Sequence, residues 1–445
     1  MSNKFSLSSS IVLRAEPQYY NTYVAFDYRR VRTEFLSEDE FKTLEYIRDK
    51  AANVTEIAKQ TSMKESDCTK FLKRMIKINY VQLNSEKFKT KTSTKIKYDS
   101  ALYKKFPIPF LSAPSTVDIF ITSKCNLDCV HCFSRKDNVD RHLSLDELNS
   151  IFDQLEEIGV FEVRINGGET FLHPDIDKIL TILKEKHFRK VILTNGTLLD
   201  DKKVESLKKS NIIPTVSLDD SLGDEHDLFR GYRGSFKQTI EGLKLLRKHQ
   251  VLFGINCCLH KNNLTRIDEI VKLAIRFGAS RIAFLDLKIT DRLKIHKNWI
   301  PTYAEYEKVM LNLLATKIKY RRKIDVALDV FLRCQPLQES LWEAKRGFVS
   351  CQAGRNRLSI DPDGSVYPCN LVISDEKWKI GNIKKQKISD IWFSEKWLFF
   401  RGEITTTKLN KCSDCKDLKK CKDFYCRLLP YITNGDSLGP HPKCS

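Results

Sequence analysis

The chain has 445 residues, and its 76 lysines and arginines outnumber its 57 aspartates and glutamates, giving a formal net charge of +19. It contains no long apolar run, and its start, MSNKFSLSSS, has no hydrophobic segment, which excludes membrane-protein and secreted classes and predicts a cytoplasmic protein. In a reducing compartment its 14 cysteines indicate metal ligation or redox chemistry rather than disulfides.

Residues 1–85 are predicted to form a small domain of short strands and three helices. Ser37 and Glu40 have the spacing of a capping box at the start of the first helix. The predicted elements are strands at 11–13 and 22–26, helices from the capping box to 47, at 54–60 and at 64–78, and a strand at 80–83. Residues 86–112 carry a lysine run without periodicity and are predicted to be a basic linker.

This front domain resembles two small folds that share a helical core: the winged helix-turn-helix and the leader-recognition domain of many ribosomal-peptide maturases. If it bound DNA, the third helix would supply the phosphate and base contacts, from Lys70, Lys73, Arg74 and Lys77. If it bound a leader peptide, the peptide would add as a strand to an edge strand and would lie between that strand and the third helix. The net charge suits an acidic peptide, a nucleic acid or simply a solvated surface.

Residues 113–320 alternate strand and helix patterns. Apolar runs lie at 117–122, 161–165, 190–193, 214–218, 252–257 and 281–285. Ser144 and Glu147 form a second capping box before the first helix of this region. The six strand–helix units predict an α/β fold with a parallel sheet curled into a partial (β/α)6, TIM-like barrel. Functional residues are then expected at the C-terminal ends of the strands.

The first of these strands leads into three cysteines, Cys125, Cys129 and Cys132, spaced C-x3-C-x2-C. Three thiolates can hold three irons of a cubane cluster and leave the fourth iron open, whereas a closed zinc site wants four ligands. The text SKCNLDCVHCF resembles the signature of the radical S-adenosylmethionine (SAM) enzymes. The resemblance implies a 4Fe–4S cluster whose open iron chelates SAM, and cleavage of SAM to a 5′-deoxyadenosyl radical that abstracts hydrogen.

The same resemblance implies a set of SAM-binding residues at the ends of the next strands. Gly167, Gly168 and Glu169 match the family's GGE motif, in which the carboxylate binds the amino group of SAM. Ser217 and Asp219 would lie near the ribose and the methionine carboxylate, and Arg230 would pair either with that carboxylate or with a loop. The full predicted set is Phe133 (against the adenine), Gly167, Gly168, Glu169, Asn195, Ser217, Asp219 and Arg230. We interpret His131 and His173, which flank the motifs, as local structure.

The last third, residues 321–445, carries a second group of cysteines that resembles the SPASM extension with its two auxiliary 4Fe–4S clusters. Carried over by position, the nearer cluster takes Cys351, Cys369 and Cys426, and the outer one takes Cys412, Cys415, Cys421 and Cys444. The chain departs from the family pattern by one extra residue between Cys421 and Cys426. The nearer cluster then has either an open iron or a fourth bond from Cys334. Cys68, Cys257 and Cys258 are expected to be core residues.

One further departure bears on the reaction. Sulfatase-maturing members carry an aspartate where this chain has Asn370, and a neutral amide cannot accept the proton. Over residues 10–445 the chain resembles maturases of ribosomally synthesised peptides that form thioethers between a cysteine sulfur and a carbon. The resemblance implies three 4Fe–4S clusters, SAM, a leader-bearing precursor and a flavodoxin- or ferredoxin-type reductant. The alternatives are a carbon–carbon crosslinking or epimerising maturase and a cluster-containing, DNA-binding redox regulator; the GGE motif argues against the regulator.

Overall fold

The structure, a computed structural model, describes residues 3–16, 22–84, 103–133, 139–289, 291–329, 351–415 and 426–440. Within these ranges, no helix is long and apolar enough to cross a membrane. The cysteines Cys334, Cys421 and Cys444 lie outside the described residues, as does most of the predicted basic linker.

The N-terminal region forms two small sheets and three helices around its own core. In chain order its elements are β1 (Phe5–Leu7), β2 (Ile11–Glu16), β3 (Thr22–Asp27), β4 (Arg32–Leu36), α1 (Glu38–Asp49), α2 (Val54–Thr61), α3 (Glu65–Lys77) and β5 (Val81–Leu83). Strands β2, β3 and β4 form an antiparallel sheet, and β1 pairs with β5. The predicted capping box is confirmed, because the Ser37 hydroxyl accepts the Glu40 N–H and the Glu40 carboxylate accepts the Ser37 N–H.

This region packs on the rest of the chain through its three-stranded sheet. The Arg14 guanidinium lies 4.3 Å from the ring centroid of Phe161 and donates to Glu16 at 2.7 Å, in a pair that is almost fully buried. Glu16 also accepts the Ser112 N–H at 2.6 Å, and Phe26 stacks on Phe161 with centroids 4.6 Å apart. Since Phe161 immediately precedes a strand of the large sheet, the N-terminal region lies at the N-terminal ends of the strands there.

The middle of the chain alternates strands and helices as predicted. Its elements are β6 (Thr116–Phe120), α4 (Leu145–Glu157), β7 (Glu162–Asn166), α5 (Ile176–Lys184), β8 (Arg189–Thr194), α6 (Asp201–Lys209), β9 (Ile212–Ser217), α7 (Gly223–Arg230), α8 (Ser235–Lys248), β10 (Gly254–Leu259), α9 (Ile267–Phe277), β11 (Arg281–Asp286), α10 (Asp291–Ile295), α11 (Tyr303–Tyr320) and β12 (Asp325–Asp329). Strands β6 to β12 are parallel and lie side by side in chain order. The middle region thus contributes one more parallel strand to the sheet, β12, than the six predicted.

The C-terminal region adds to the same sheet. Its elements are β13 (Arg357–Ile360), β14 (Ser365–Tyr367), β15 (Gly381–Asn382), α12 (Ile388–Trp392) and α13 (Leu428–Asn434). Strand β13 pairs in parallel with β6, with Leu358 opposite Val117, and β14 and β15 follow antiparallel to complete a ten-stranded sheet. The second cysteine group is therefore built directly onto the edge of the sheet that carries the first group.

The end of the predicted linker is packed rather than free. Phe106, Ile108 and Phe110 are buried, and the guanidinium of the fully buried Arg401 lies 3.5 Å from the centroid of the Phe110 ring. Ile108 also donates its N–H to the Arg401 carbonyl oxygen at 3.0 Å. This segment joins the large sheet to the C-terminal region.

Candidate active site

The three cysteines of the first group lie in the loop that follows β6. The Leu127 N–H approaches the Cys125 sulfur at 3.5 Å, and the Cys132 N–H donates to the Cys129 carbonyl oxygen at 3.2 Å. Burial raises the pKa of the Cys125 thiol to about 12, and the neighbouring Cys129 and Cys132 also raise it. The three sulfurs therefore share one local electrostatic environment, at the C-terminal edge of the sheet as predicted.

The end of β7 is held directly against this cysteine loop. The Gly168 N–H donates to the Thr122 carbonyl oxygen at 2.8 Å, and the Glu169 N–H donates to the Lys124 carbonyl oxygen at 2.7 Å. A Cβ at Gly168 would lie 2.3 Å from the Lys124 oxygen, and one at Gly167 would lie 2.8 Å from the Thr122 oxygen. Only glycine allows the two segments to approach this closely.

The Glu169 carboxylate is buried beside the cysteines. It accepts the Asn195 N–H at 2.8 Å, the Thr194 hydroxyl at 2.7 Å and the Phe171 N–H at 3.2 Å. Burial raises the pKa of Glu169, and these hydrogen bonds oppose the shift. The carboxylate is thus fixed in orientation, which suits a residue that must present an oxygen to a cationic group.

The end of β8 is also bonded to the cysteine loop. The Asn195 side-chain amide donates to the Asn126 side-chain oxygen at 2.9 Å, and Asn126 in turn donates to the Thr197 hydroxyl at 2.9 Å. Asn195 belongs to the SAM-binding residues predicted from the sequence, whereas Asn126 and Thr197 were not predicted. Their position inside or just after recognised motifs was the available signal.

Arg230 and Asp219 form a buried ion pair 2.5 Å apart. The Arg230 guanidinium also approaches the Cys129 sulfur at 3.8 Å, and Asp219 accepts the Cys258 N–H at 2.8 Å. Of the two roles predicted for Arg230, the structure displays an ion pair, which joins the end of β9 to the cysteine loop. Both side chains are in place to border a ligand bound at the cysteines.

The remaining predicted residues occupy the periphery of this site. Ser217 is the last residue of β9 and is partly exposed, and Phe133 packs against the main core beside the cysteine loop. His173 bonds the Leu143 carbonyl oxygen and the Asp175 N–H, and His131 stacks on Phe229 with centroids 4.3 Å apart. The interpretation of both histidines as local structure agrees with these contacts.

Three cysteines of the second group come together in the C-terminal region. Burial raises the pKa of Cys351 to about 12 and also raises the pKa of Cys369, and the nearby Cys426 raises the pKa of each thiol. Cys412 and Cys415 share one turn, with the Cys415 N–H donating to the Cys412 carbonyl oxygen at 3.1 Å. As expected, the cysteines outside both groups, Cys68, Cys257 and Cys258, are buried.

These donor sets fit iron–sulfur clusters. The first group offers three thiols beside a fixed carboxylate and a close glycine backbone. Three thiols suit a four-iron cluster with one open coordination position. In the described ranges, no three His, Cys, Asp or Glu side chains converge on a single metal ion. A cubane cluster does not need such convergence, since each thiolate binds a separate iron.

Comparisons with known proteins agree with this geometry. The radical SAM superfamily profile matches residues 119–274, and that of the SPASM iron–sulfur cluster-binding domain matches residues 351–416. The chain is 30% identical over 351 residues to the AdoMet-dependent heme synthase of Methanosarcina barkeri, covering 76% of this chain and 98% of that protein. It is 27% identical over 293 residues to the subtilosin biosynthesis protein AlbA of Bacillus subtilis, covering 65% of this chain and 61% of AlbA.

Among solved structures, Streptococcus suis SuiB bound to S-adenosylmethionine is similar in fold, with a TM-score of 0.74 and 21% identity. The match covers 99% of this chain and 100% of that chain. SuiB bound to its precursor peptide SuiA gives a TM-score of 0.69 and 20% identity, covering 98% of each chain.

The family implies a 4Fe–4S cluster and SAM in the α/β core and auxiliary clusters in the SPASM region, where the two cysteine groups lie. The chain belongs to the radical SAM enzymes that carry a SPASM iron–sulfur cluster-binding domain.

Proposed function

We propose that this enzyme is a maturase of a ribosomally synthesised peptide and forms thioether crosslinks between cysteine sulfurs and carbons of a leader-bearing precursor. The observation that carries the proposal is the N-terminal region, which is folded around its own core and docked on the enzyme. SuiB, whose fold matches 99% of this chain, was solved with a precursor peptide. The heme synthase is matched over 98% of its own length but over only 76% of this chain, so part of this chain has no counterpart in it.

We assign three 4Fe–4S clusters to the two cysteine groups. Cys125, Cys129 and Cys132 would hold the SAM-binding cluster, Cys351, Cys369 and Cys426 the nearer auxiliary cluster, and Cys412, Cys415, Cys421 and Cys444 the outer one. When bound, the first cluster and SAM supply a radical that abstracts hydrogen from the substrate. Because buried thiols with raised pKa values must lose protons to bind iron, cluster assembly releases protons.

The chain's own residues would bind and orient SAM. Glu169 would accept the ammonium of its methionine moiety, since its carboxylate is already held by Thr194 and Asn195. Arg230, paired with Asp219, would face the SAM carboxylate, and the glycines at the end of β7 would let the ligand approach the backbone closely.

Replacing Glu169 with glutamine should weaken SAM binding at least tenfold in the reconstituted enzyme. The amide loses the charge-assisted bond to the ammonium and places an NH2 group against donors, and bonds to charged groups contribute about 1.5–3 kcal/mol. Equilibrium dialysis with labelled SAM measures the change. Glu157→Gln, on the exposed end of α4, is the matched control, and an unchanged affinity in Glu169→Gln would refute the assignment.

The leader would bind along β4, an edge strand of the three-stranded sheet. Phe35 on this strand is 70% exposed, and a cavity of about 480 Å³ lies between the start of α1 and α3. Strand addition on this edge would place leader side chains toward that cavity. On α3, Arg74 pairs with Glu40 and Lys70 pairs with Asp67, so two of the four cations considered for DNA already have carboxylate partners.

The position of the leader site sets a minimum length for the precursor. The N-terminal region contacts Phe161, before β7, whereas the cysteine loop contacts Gly168, beyond its other end. At about 3.3 Å per residue, β7 and its flanking residues span roughly 20 Å. A precursor therefore needs at least about six extended residues between its bound leader and its modified part.

Mass spectrometry with alkylation tests the thioether assignment. The enzyme is reconstituted anaerobically and incubated with SAM, dithionite and a cysteine-bearing peptide encoded beside its gene. We expect the loss of two hydrogens per crosslink, with one cysteine no longer alkylated for each. The same mass loss with all cysteines still alkylated would replace the thioether with a carbon–carbon bond.

A further inference from the structure

The segments that pack against the cysteine loop carry exposed apolar side chains and exposed cations. Leu228, near the end of α7, is 62% exposed. Tyr232, in the turn that follows, is 45% exposed, and Ile295, at the end of α10, is 82% exposed. Three exposed cations lie close to them in the sequence. We call this set the rim surface: Leu228, Tyr232, Ile295, Arg233, Lys237 and Lys297.

We propose that the rim surface docks the protein that reduces the SAM-binding cluster, a small acidic one-electron carrier of the flavodoxin type. The proposal rests on the assignment of that cluster to Cys125, Cys129 and Cys132. In the step concerned, one electron passes from the flavin hydroquinone, which becomes the semiquinone, to the oxidised cluster. No bond is made or broken.

The first argument is the direct contact of α7 with the cysteine loop. The Val130 N–H donates to the Phe229 carbonyl oxygen at 3.1 Å, and the Arg230 guanidinium lies 3.8 Å from the Cys129 sulfur. A Cβ at Gly231 would lie 2.2 Å from the Asp128 carbonyl oxygen. Leu228 and Tyr232 therefore flank, in sequence, the residue that reaches a cluster ligand.

The second argument is that α10 contacts the same part of the loop. Arg292 forms an ion pair with Asp128 at 2.6 Å and donates to its carbonyl oxygen at 3.1 Å. Leu293 packs in one buried cluster with Phe229 and Val130. A protein bound across α7 and α10 would thus lie over the cysteine loop, where the electron must enter.

The third argument is chemical complementarity. Exposed apolar groups bordered by polar residues mark interaction sites, and cations attract an acidic carrier. Of the acids on α7, Asp224 is exposed, whereas Glu225 and Asp227 are partly buried and accept hydrogen bonds within the protein. Electron-transfer complexes bury small areas, below roughly 1,200 Å², which suits two short helices.

Charge reversal at the rim tests the proposal. Stopped-flow absorbance follows cluster reduction by flavodoxin hydroquinone in the reconstituted enzyme. At low ionic strength we expect the double variant Arg233→Glu/Lys237→Glu to have a second-order rate constant for cluster reduction about tenfold lower than that of the wild type. Added salt should reduce this difference between the variant and the wild type, because it screens the charges. Iron content and reduction by dithionite should stay at the wild-type level. Leu228→Ala with Ile295→Ala, which keeps the charge, should also slow flavodoxin reduction.

The matched control is Arg322→Glu with Lys323→Glu, an equal charge change on exposed residues between α11 and β12, at the N-terminal ends of the strands. It should retain the wild-type rate constant to within a factor of two. If flavodoxin reduces the cluster at the wild-type rate in both the charge-reversal and the alanine variants, the rim surface is not the docking site. If flavodoxin reduction is unchanged but peptide modification driven by dithionite is slower, the rim surface binds the peptide substrate instead. Full iron content and full reduction by dithionite after replacement of Cys125, Cys129 and Cys132 with alanine would overturn the cluster assignment on which the proposal rests.

Discussion

Replacing Cys125, Cys129 and Cys132 together with alanine should abolish SAM cleavage and remove about a third of the bound iron, because one of three four-iron clusters loses its ligands. The loop itself should remain in place, since Asn195 still bonds to Asn126 within the loop and the backbone at Gly168 and Glu169 still bonds to its start. Iron analysis and quantification of 5′-deoxyadenosine by liquid chromatography measure both effects.

Cys68→Ala is the control for this experiment, because Cys68 is a buried cysteine in the core of the N-terminal region. It should keep its full iron content and its SAM cleavage. Cleavage retained in the triple variant would contradict the placement of the SAM site at these cysteines.

Replacing Cys351 and Cys369 with alanine should remove a further third of the iron and abolish crosslinking, while SAM cleavage continues without product. The two thiols lie in the second cysteine group, near Cys426. An auxiliary cluster that accepts the second electron of thioether formation would be lost, whereas the SAM site would be intact.

The readouts are iron content, 5′-deoxyadenosine and peptide mass, with circular dichroism to verify folding. Crosslinked product at the wild-type rate would rule out a role for the nearer auxiliary cluster in the reaction. Unchanged iron content would show that Cys351 and Cys369 are not its ligands.

Local patterns in the sequence predicted much of the fold. Both predicted capping boxes form, at Ser37 and at Ser144, because a cap depends on residues three positions apart. The strand ends could also be predicted, and with them the meeting of the cysteine loop with Glu169 and Asn195, since parallel strands end at one edge of a sheet.

Long-range pairing could not be predicted in this way. Strand β13 joins the sheet beside β6 although 241 residues separate partners such as Leu358 and Val117, and no local pattern encodes that choice. The packing of Arg14 on Phe161 is likewise a tertiary contact of a charged residue, and although an ion pair was considered for Arg230, its partner Asp219 was not identified. In the sequence alone such residues are typical of solvated surface.

The most direct test of the proposed function is hydrogen transfer from the peptide to SAM. The precursor peptide is prepared with deuterium on its carbon-bound positions and incubated anaerobically with the enzyme, SAM and dithionite. We expect 5′-deoxyadenosine to carry one deuterium and to form together with crosslinked peptide, since the radical would take its hydrogen from the acceptor residue. Unlabelled 5′-deoxyadenosine, formed at the same rate without the peptide while a porphyrin is converted instead, would contradict the assignment of a peptide substrate.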